Sequence, residues 1–94
     1  MTIEEIRREV DAVDSRIIAL IAERQAIAGR MAHEKYLAGA PVRDEGRRRA
    51  LLERVFNEAV EKNINPVQVR TIFEILVEMS EERQRECTGE GNLP

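Results

Sequence analysis

Positively charged side chains occupy positions where the hydrophobic pattern of the chain calls for buried apolar residues. Counting by sevens from Ile3 along a row of apolar residues leads to Arg24, so a guanidinium falls on a core position of the first predicted helix. Lys35 follows eleven residues later, which on an α-helix is three turns away, within ~20° of the same direction and ~16 Å further along the axis. A single arginine of this kind would most simply extend to solvent or fix the helix register. Two aligned cations could instead bind a small anion between them.

A second group of cations lies in the segment PVRDEGRRR, residues 41–49. Arg47 and Arg48 each precede a leucine by four residues, and this spacing turns both side chains toward the buried side of a second helix. We interpret Arg43 and Arg49 as mainly solvated. A run of solvated arginines is the simplest explanation of such a segment, and the direction of Arg47 and Arg48 argues against it.

The apolar stripe of the third predicted helix ends on two polar residues. Phe73 and Val77 lead on at helical spacing to Ser80 and Gln84, and each of these alone would be ordinary polarity near a helix end. Charges directed into a core need an anionic partner, because an unpaired buried charge costs several kcal/mol, and the few inward acids do not match the cations. A small ligand with carboxylates would match them, since a guanidinium binds a carboxylate through two parallel hydrogen bonds.

The residue patterns that other chemistries need are missing from the sequence. It has no Ser-His-Asp or Cys-His arrangement, no metal-ligand cluster and no glycine-rich phosphate loop. His33, the single histidine, lies off the apolar row and is expected at the surface. We therefore expect a ligand site that uses no nucleophile, no metal and no cofactor.

Length and composition indicate one small domain over residues 1–94, with 43% hydrophobic and 35% charged residues and a formal net charge of −3. The acidic balance and the three aromatic residues argue against a nucleic-acid-binding surface. No apolar run reaches the ~20 residues of a membrane span, so we expect no membrane partner. Cys87 is the single cysteine, and Glu4 and Glu5 stand where a signal peptide would be basic. These features predict a soluble, cytoplasmic protein.

Three helices must position the polar residues, which gives an all-α fold. Each helix has a start signal and a stop signal of a known kind. The first helix is bounded by a Thr2–Glu5 capping box and by Gly39 with Pro41. The second begins after Asp44 and ends at Lys62–Asn63, and the third begins at Asn65–Pro66 and ends near Cys87. We expect the second and third helices to bury apolar stripes that include Val60 and Ile72, and residues 88–94 to form a frayed tail.

The length of the first helix predicts the assembly. About 36 residues at ~1.5 Å each make a rod of ~54 Å, whereas a compact domain of this size has a radius of gyration of ~12 Å. One compact core cannot enclose such a rod. We therefore expect a homodimer in which the long helices pair about a two-fold axis.

With these features in place, the sequence resembles a known enzyme family. The segments IRREVDAVDSRIIALIAERQAIA, PVRDEGRRRALLERV and SEERQ, together with Lys35, resemble the all-helical class of chorismate mutase, over residues 6–85 without a gap. The resemblance implies a small intertwined dimer that converts chorismate to prephenate in aromatic amino-acid biosynthesis, as an isomerase.

The resemblance also implies a role for each matching residue, and all of these roles are expectations. The carboxylates of the substrate would be bound by Arg24 and Arg47, with Arg7 donated by the other protomer. Lys35 and Gln84 would donate to the ether oxygen of the breaking bond. Asp44 would contact the ring hydroxyl, and Ser80 matches a further pocket position. Arg7 and Arg24 are ~25 Å apart along one helix, too far to share a small ligand within one chain.

One position departs from the family pattern. Directly after the pocket arginine the family usually has a glutamate that accepts a hydrogen bond from the ring hydroxyl, and this chain has Arg48. We expect Arg48 at the pocket rim, as an extra cation beside Arg47, and expect Arg48→Glu to restore the acceptor. The departure leaves two alternatives to a mutase: an isochorismate-pyruvate lyase of the same fold, which also lacks that glutamate, and a catalytically silent helical dimerisation module. The persistence of Lys35 together with Gln84 favours an enzyme.

Overall fold

The structure, a computed structural model, describes residues 1–88 and contains three helices: α1 (Ile3–Ala38), α2 (Glu45–Glu61) and α3 (Pro66–Thr88). Within residues 1–88 there is no β-strand, so the predicted all-α fold is confirmed. Of the expected frayed tail, Thr88 is the last residue of α3, and residues 89–94 lie outside the described part of the chain. No helix within residues 1–88 is both long enough and apolar enough to cross a bilayer.

The capping box at the start of α1 forms only in part. The Thr2 hydroxyl oxygen accepts from the backbone N–H of Glu5 at 3.1 Å, as predicted. The Glu5 carboxylate, however, accepts from the Thr2 hydroxyl at 3.2 Å and not from its backbone N–H. At the other end, Gly39 adopts a left-handed conformation with φ 69°, which a glycine reaches without a steric cost. This residue ends α1 where the sequence predicted.

The starts of α2 and α3 follow from side chains that cap them. The Asp44 carboxylate accepts from the backbone N–H of Arg47 at 3.0 Å. The Asn65 side-chain oxygen accepts from the N–H groups of Val67 and Gln68 at 3.0 and 3.2 Å, directly before Pro66 opens the helix. Both caps satisfy backbone donors that the first turn of a helix leaves free. They confirm the predicted helix starts.

Helix α3 packs against both other helices, whereas α1 and α2, both within the described residues, do not pack directly on each other. Leu51 and Val55 of α2 and Val77 of α3 form a small buried core. The sequence placed Val60 and Ile72 on the buried stripes, but they are 53% and 55% exposed. The reason is that residues 1–88 form no third layer that covers the outer sides of α2 and α3.

The first half of α1 extends beyond the packed region. The apolar residues of its predicted row are exposed in this chain; they include Ile3, Ile6, Val10, Val13, Ile17 and Leu20. The Cα atoms extend over 54 × 29 × 16 Å, with a radius of gyration of 16.6 Å. The prediction that one compact core cannot enclose α1 is therefore confirmed.

Candidate functional site

A cavity of about 420 Å³ lies between the C-terminal half of α1, the start of α2 and the C-terminal half of α3. Seven of the eight site residues predicted from the sequence line it, which are Arg24, Lys35, Asp44, Arg47, Arg48, Ser80 and Gln84. Apolar side chains such as Ile27, Met31 and Leu51 form the rest of the wall. Polar groups from all three helices thus converge on one cavity of a size suited to a small ligand.

Arg24 is half-buried and is anchored to α3. One of its terminal nitrogens donates to the backbone carbonyl of Leu76 at 2.9 Å, a contact that joins α1 to α3. Burial, and after it the positive charge of Arg47, lower the pKa of the Arg24 guanidinium below its usual value. Both causes penalise the charged form, and an anion beside the two arginines would offset them.

Lys35 lies near the end of α1 and is held by the loop that follows. Its ammonium group donates to the backbone carbonyl of Val42, and both residues line the cavity. An ammonium group has three donors, so two remain after this contact. The loop therefore fixes the direction of the Lys35 side chain and leaves it able to bind a ligand.

Gln84 is 5% exposed, and its amide nitrogen donates to the Ser80 hydroxyl at 3.1 Å. Within the described residues, the amide oxygen of Gln84 is buried without a hydrogen-bond partner. An unsatisfied buried acceptor costs ~1–3 kcal/mol. Half a turn of the amide would let Ser80 donate to that oxygen and would present the amide nitrogen in its place. The pair can thus offer either an acceptor or a donor.

Asp44 and Arg47 lie at the start of α2, where both side chains are exposed and line the cavity. Because Asp44 caps α2 through the N–H of Arg47, one of its oxygens is already engaged. Arg43, Arg49 and His33 are exposed, as the sequence predicted.

Arg48 has an acidic partner that was not predicted from the sequence. A terminal nitrogen of Arg48 lies 3.8 Å from one oxygen of Glu81, and these side chains are 19% and 12% exposed. The other oxygen of Glu81 lies 3.7 Å from a terminal nitrogen of Arg85. The expectation that inward acids do not match the cations was therefore wrong at Arg48. The signal was present, since Glu81 follows the buried Val77 by four residues on the same stripe.

Arg7 does not line this cavity. Its guanidinium is exposed on α1 and lies 3.6 Å from the Glu4 carboxylate, one turn earlier. This placement follows from the length of α1 between Arg7 and Arg24, which is ~25 Å. The role of Arg7 in the pocket of another protomer stays a prediction.

The charges of the cavity suit a ligand with more than one negative group. Among the described residues that line it, four are cations and two, Asp44 and Glu81, are acids. Across residues 1–88 no three His, Cys, Asp or Glu side chains come together in a way that could hold a metal ion. The chemistry that these residues can supply is hydrogen-bond donation and positive charge.

Comparison with known proteins finds similarity to one enzyme family. The sequence profile of the chorismate mutase type II family matches residues 6–85. A chorismate mutase of Methanocaldococcus jannaschii is 33% identical over 86 residues, which is 92% of this chain and 87% of that protein. The bifunctional chorismate mutase/prephenate dehydratases of Escherichia coli K12 and Buchnera aphidicola subsp. Schizaphis graminum are 32% and 30% identical over 75 and 74 residues. The match spans 80% and 79% of this chain but only 19% of each of those longer proteins.

Proposed function

The chain belongs to the chorismate mutase type II family, and on this premise we propose that its cavity binds chorismate and rearranges it to prephenate. The observation that carries the proposal is the convergence of Lys35 and Gln84 with Arg24 and Arg47 on one cavity. A module that only dimerises has no use for this set of inward polar groups. It also has no use for a cation whose pKa burial lowers, as at Arg24.

The first task of the site is to hold the substrate in its reactive conformation. Chorismate carries one carboxylate on the ring and one on the enolpyruvyl arm, and the arm must lie over the ring before the bonds can exchange. Arg24 and Arg47 would bind these carboxylates through paired hydrogen bonds. Fixing a flexible arm in this way removes an entropic part of the barrier.

The second task is to stabilise charge on the ether oxygen. The rearrangement breaks the carbon–oxygen bond of the ether and forms a carbon–carbon bond in one concerted step, so no proton is transferred and no covalent intermediate forms. Lys35 is pre-directed by its contact with the Val42 carbonyl and would donate to the ether oxygen. Gln84 would donate from its other side after the half-turn of its amide. The loss of one such preorganised donor typically costs ~2.7–4 kcal/mol.

We also propose that the chain works as a homodimer in which Arg7 completes the pocket of the other protomer. Two observations support this: the apolar row of α1 is exposed over its first half, and the shape is too elongated for one compact core. A second copy of α1 packed antiparallel would cover the row. The same packing would carry Arg7 to the far end of the partner helix, where the cavity lies.

In the direct test, the purified protein is assayed with chorismate and with isochorismate side by side. We expect prephenate from chorismate and no pyruvate with salicylate from isochorismate. The reverse result would make the chain a lyase, and no reaction with either substrate would leave only the silent module.

A complementation experiment tests the shared site. We expect Arg7→Ala and Lys35→Ala to be inactive alone, and mixed protein after subunit exchange to recover about a quarter of the parental activity, because half of the dimers are mixed and each has one intact pocket. Mixing Arg24→Ala with Lys35→Ala is the matched control, since both residues line the cavity of one chain. That mixture should stay inactive. Recovery in both mixtures, or in neither, would contradict a role for Arg7 across the interface.

A further inference from the structure

Glu81 lines the cavity and has no part in the reaction as derived above. We propose that Glu81 accepts a hydrogen bond from the ring hydroxyl of chorismate and so determines substrate specificity, with Arg48 as the residue that positions it. The inference rests on the proposed function. It assigns the acceptor to α3, although the sequence suggested a loss of that acceptor at position 48 on α2.

Two arginines flank the Glu81 carboxylate and leave it available to a ligand. The side chain is 12% exposed, with Arg48 on one oxygen at 3.8 Å and Arg85 on the other at 3.7 Å. Charge-assisted hydrogen bonds between nitrogen and oxygen are shorter, at ~2.7–2.9 Å. The two arginines therefore hold the carboxylate by charge, and its oxygens can still accept from a ligand.

The substrate supplies the matching donor. Chorismate has two carboxylates and an ether oxygen, which are all acceptors, and its ring hydroxyl is its one hydrogen-bond donor. The cations of the cavity suit the acceptors, and a hydroxyl that leaves water needs an acceptor in the site because an unpaired buried polar group is costly. Among the described residues, the acids available in the cavity are Asp44 and Glu81.

Glu81 fits this task better than Asp44. Asp44 is exposed, and its carboxylate caps α2 by accepting from the N–H of Arg47 at 3.0 Å. Glu81 is mostly shielded from water, so a hydrogen bond to it competes less with solvent. Arg48 is then the counter-charge that offsets the cost of burying the Glu81 carboxylate.

The same pairing changes the expectation for Arg48→Glu. That substitution would replace the guanidinium that lies 3.8 Å from Glu81 by a carboxylate facing the same acid, and two like charges sharing one site disfavour each other. We expect Arg48→Glu alone to lose activity. The exchange of both charges, Arg48→Glu with Glu81→Arg, should recover part of the activity, because the ion pair between the two positions and one inward acid are then restored.

The deciding experiment compares chorismate with an analogue that lacks the ring hydroxyl. Turnover of chorismate by the parent protein is measured first, so a failure of the proposed function shows there. The preference for chorismate is the ratio of the two kcat/KM values, and we expect it to be high in the parent. Glu81→Ala should reduce this ratio by ~10- to 100-fold, as expected for the loss of a hydrogen bond to a charged group. A change in the fraction of folded enzyme, or the charge of Arg48 left without Glu81, affects kcat/KM for both substrates and therefore cancels in the ratio.

Matched variants complete the test. Glu82→Gln, on the exposed neighbour, should leave the ratio unchanged, and Asp44→Ala should change it less than Glu81→Ala. Equal losses on both substrates in Glu81→Ala would show a structural role only and overturn the proposal. A ratio that collapses in Asp44→Ala and not in Glu81→Ala would place the acceptor on α2 and overturn it as well.

Discussion

Ile17→Glu should dissociate the proposed dimer and remove most of the activity with it. Ile17 lies on the apolar row of α1 and is 49% exposed in the single chain. Complete burial of an isoleucine side chain stabilises by ~1.5–3 kcal/mol, so a partner helix that covers the remaining half would contribute ~1 kcal/mol at this residue. Glutamate loses that contribution and brings an unpaired carboxylate into the interface.

The expected size of the effect follows from symmetry. An unpaired charge at an apolar contact costs several kcal/mol when fully buried. For this half-covered position we take ~2 kcal/mol in total for each substituted site, which includes the lost packing. A two-fold dimer contains the substitution twice. The total of ~4 kcal/mol corresponds to a rise of about 1,000-fold in the dissociation constant, at ~1.4 kcal/mol per factor of ten.

Sedimentation velocity and activity per unit mass, both measured over a range of protein concentrations, provide the assay. Ile17→Glu should sediment as a monomer at concentrations where the parent is a dimer, and its specific activity should rise with concentration as Arg7 of a second copy becomes available. Ser15→Glu is the control, because Ser15 is exposed and points ~160° away from Ile17 on the helix. A variant that sediments as the parent would refute α1 as the interface, and a fully active monomer would refute the role of Arg7.

Three further substitutions test single groups of the site. Lys35→Ala should lower kcat by ~100- to 1,000-fold with an unchanged helical circular dichroism spectrum, since it removes one preorganised donor; a loss of only a few-fold would exclude Lys35 as that donor. Gln84→Glu should be active at low pH and lose activity as pH rises, because only the protonated acid can donate, and a flat pH profile would contradict donation from this position. Arg24→Met should abolish substrate binding while the melting temperature is kept or raised. It removes a charge that burial and Arg47 disfavour, and the Leu76 carbonyl keeps its intrahelical partner; a large fall in melting temperature would show that the Arg24 contact stabilises the fold.

The helix boundaries were predictable because both partners of each cap lie close together in the sequence. Asp44 and the N–H that it accepts from are three residues apart, and the same holds for Asn65 and Gln68. The inward direction of Arg24 and Lys35 was equally accessible, since one helical period fixes both. Local geometry therefore sufficed to predict the helix starts and most of the cavity wall.

Contacts between helices were not predictable in the same way. Arg48 and Glu81 are 33 positions apart, and their pairing depends on how α2 docks on α3, which no periodicity within one helix specifies. The contact of Arg24 with the Leu76 carbonyl has the same character. The exposure of Ile72 also escaped prediction, because an apolar stripe shows which side of a helix prefers burial and not whether this chain covers it.

The lack of direct packing between α1 and α2 has a consequence for how long the protein survives in a cell. A ligand in the cavity would contact cations of both helices and so connect two helices that pack on α3 and not on each other. Such a ligand binds the folded chain and not the unfolded chain. At a free concentration of about 100 times its dissociation constant, it adds ~2.7 kcal/mol to the free energy of unfolding. Cleavage by proteases that attack opened chains follows that free energy. We therefore expect the half-life of the protein to lengthen when chorismate is plentiful and to shorten when its supply stops.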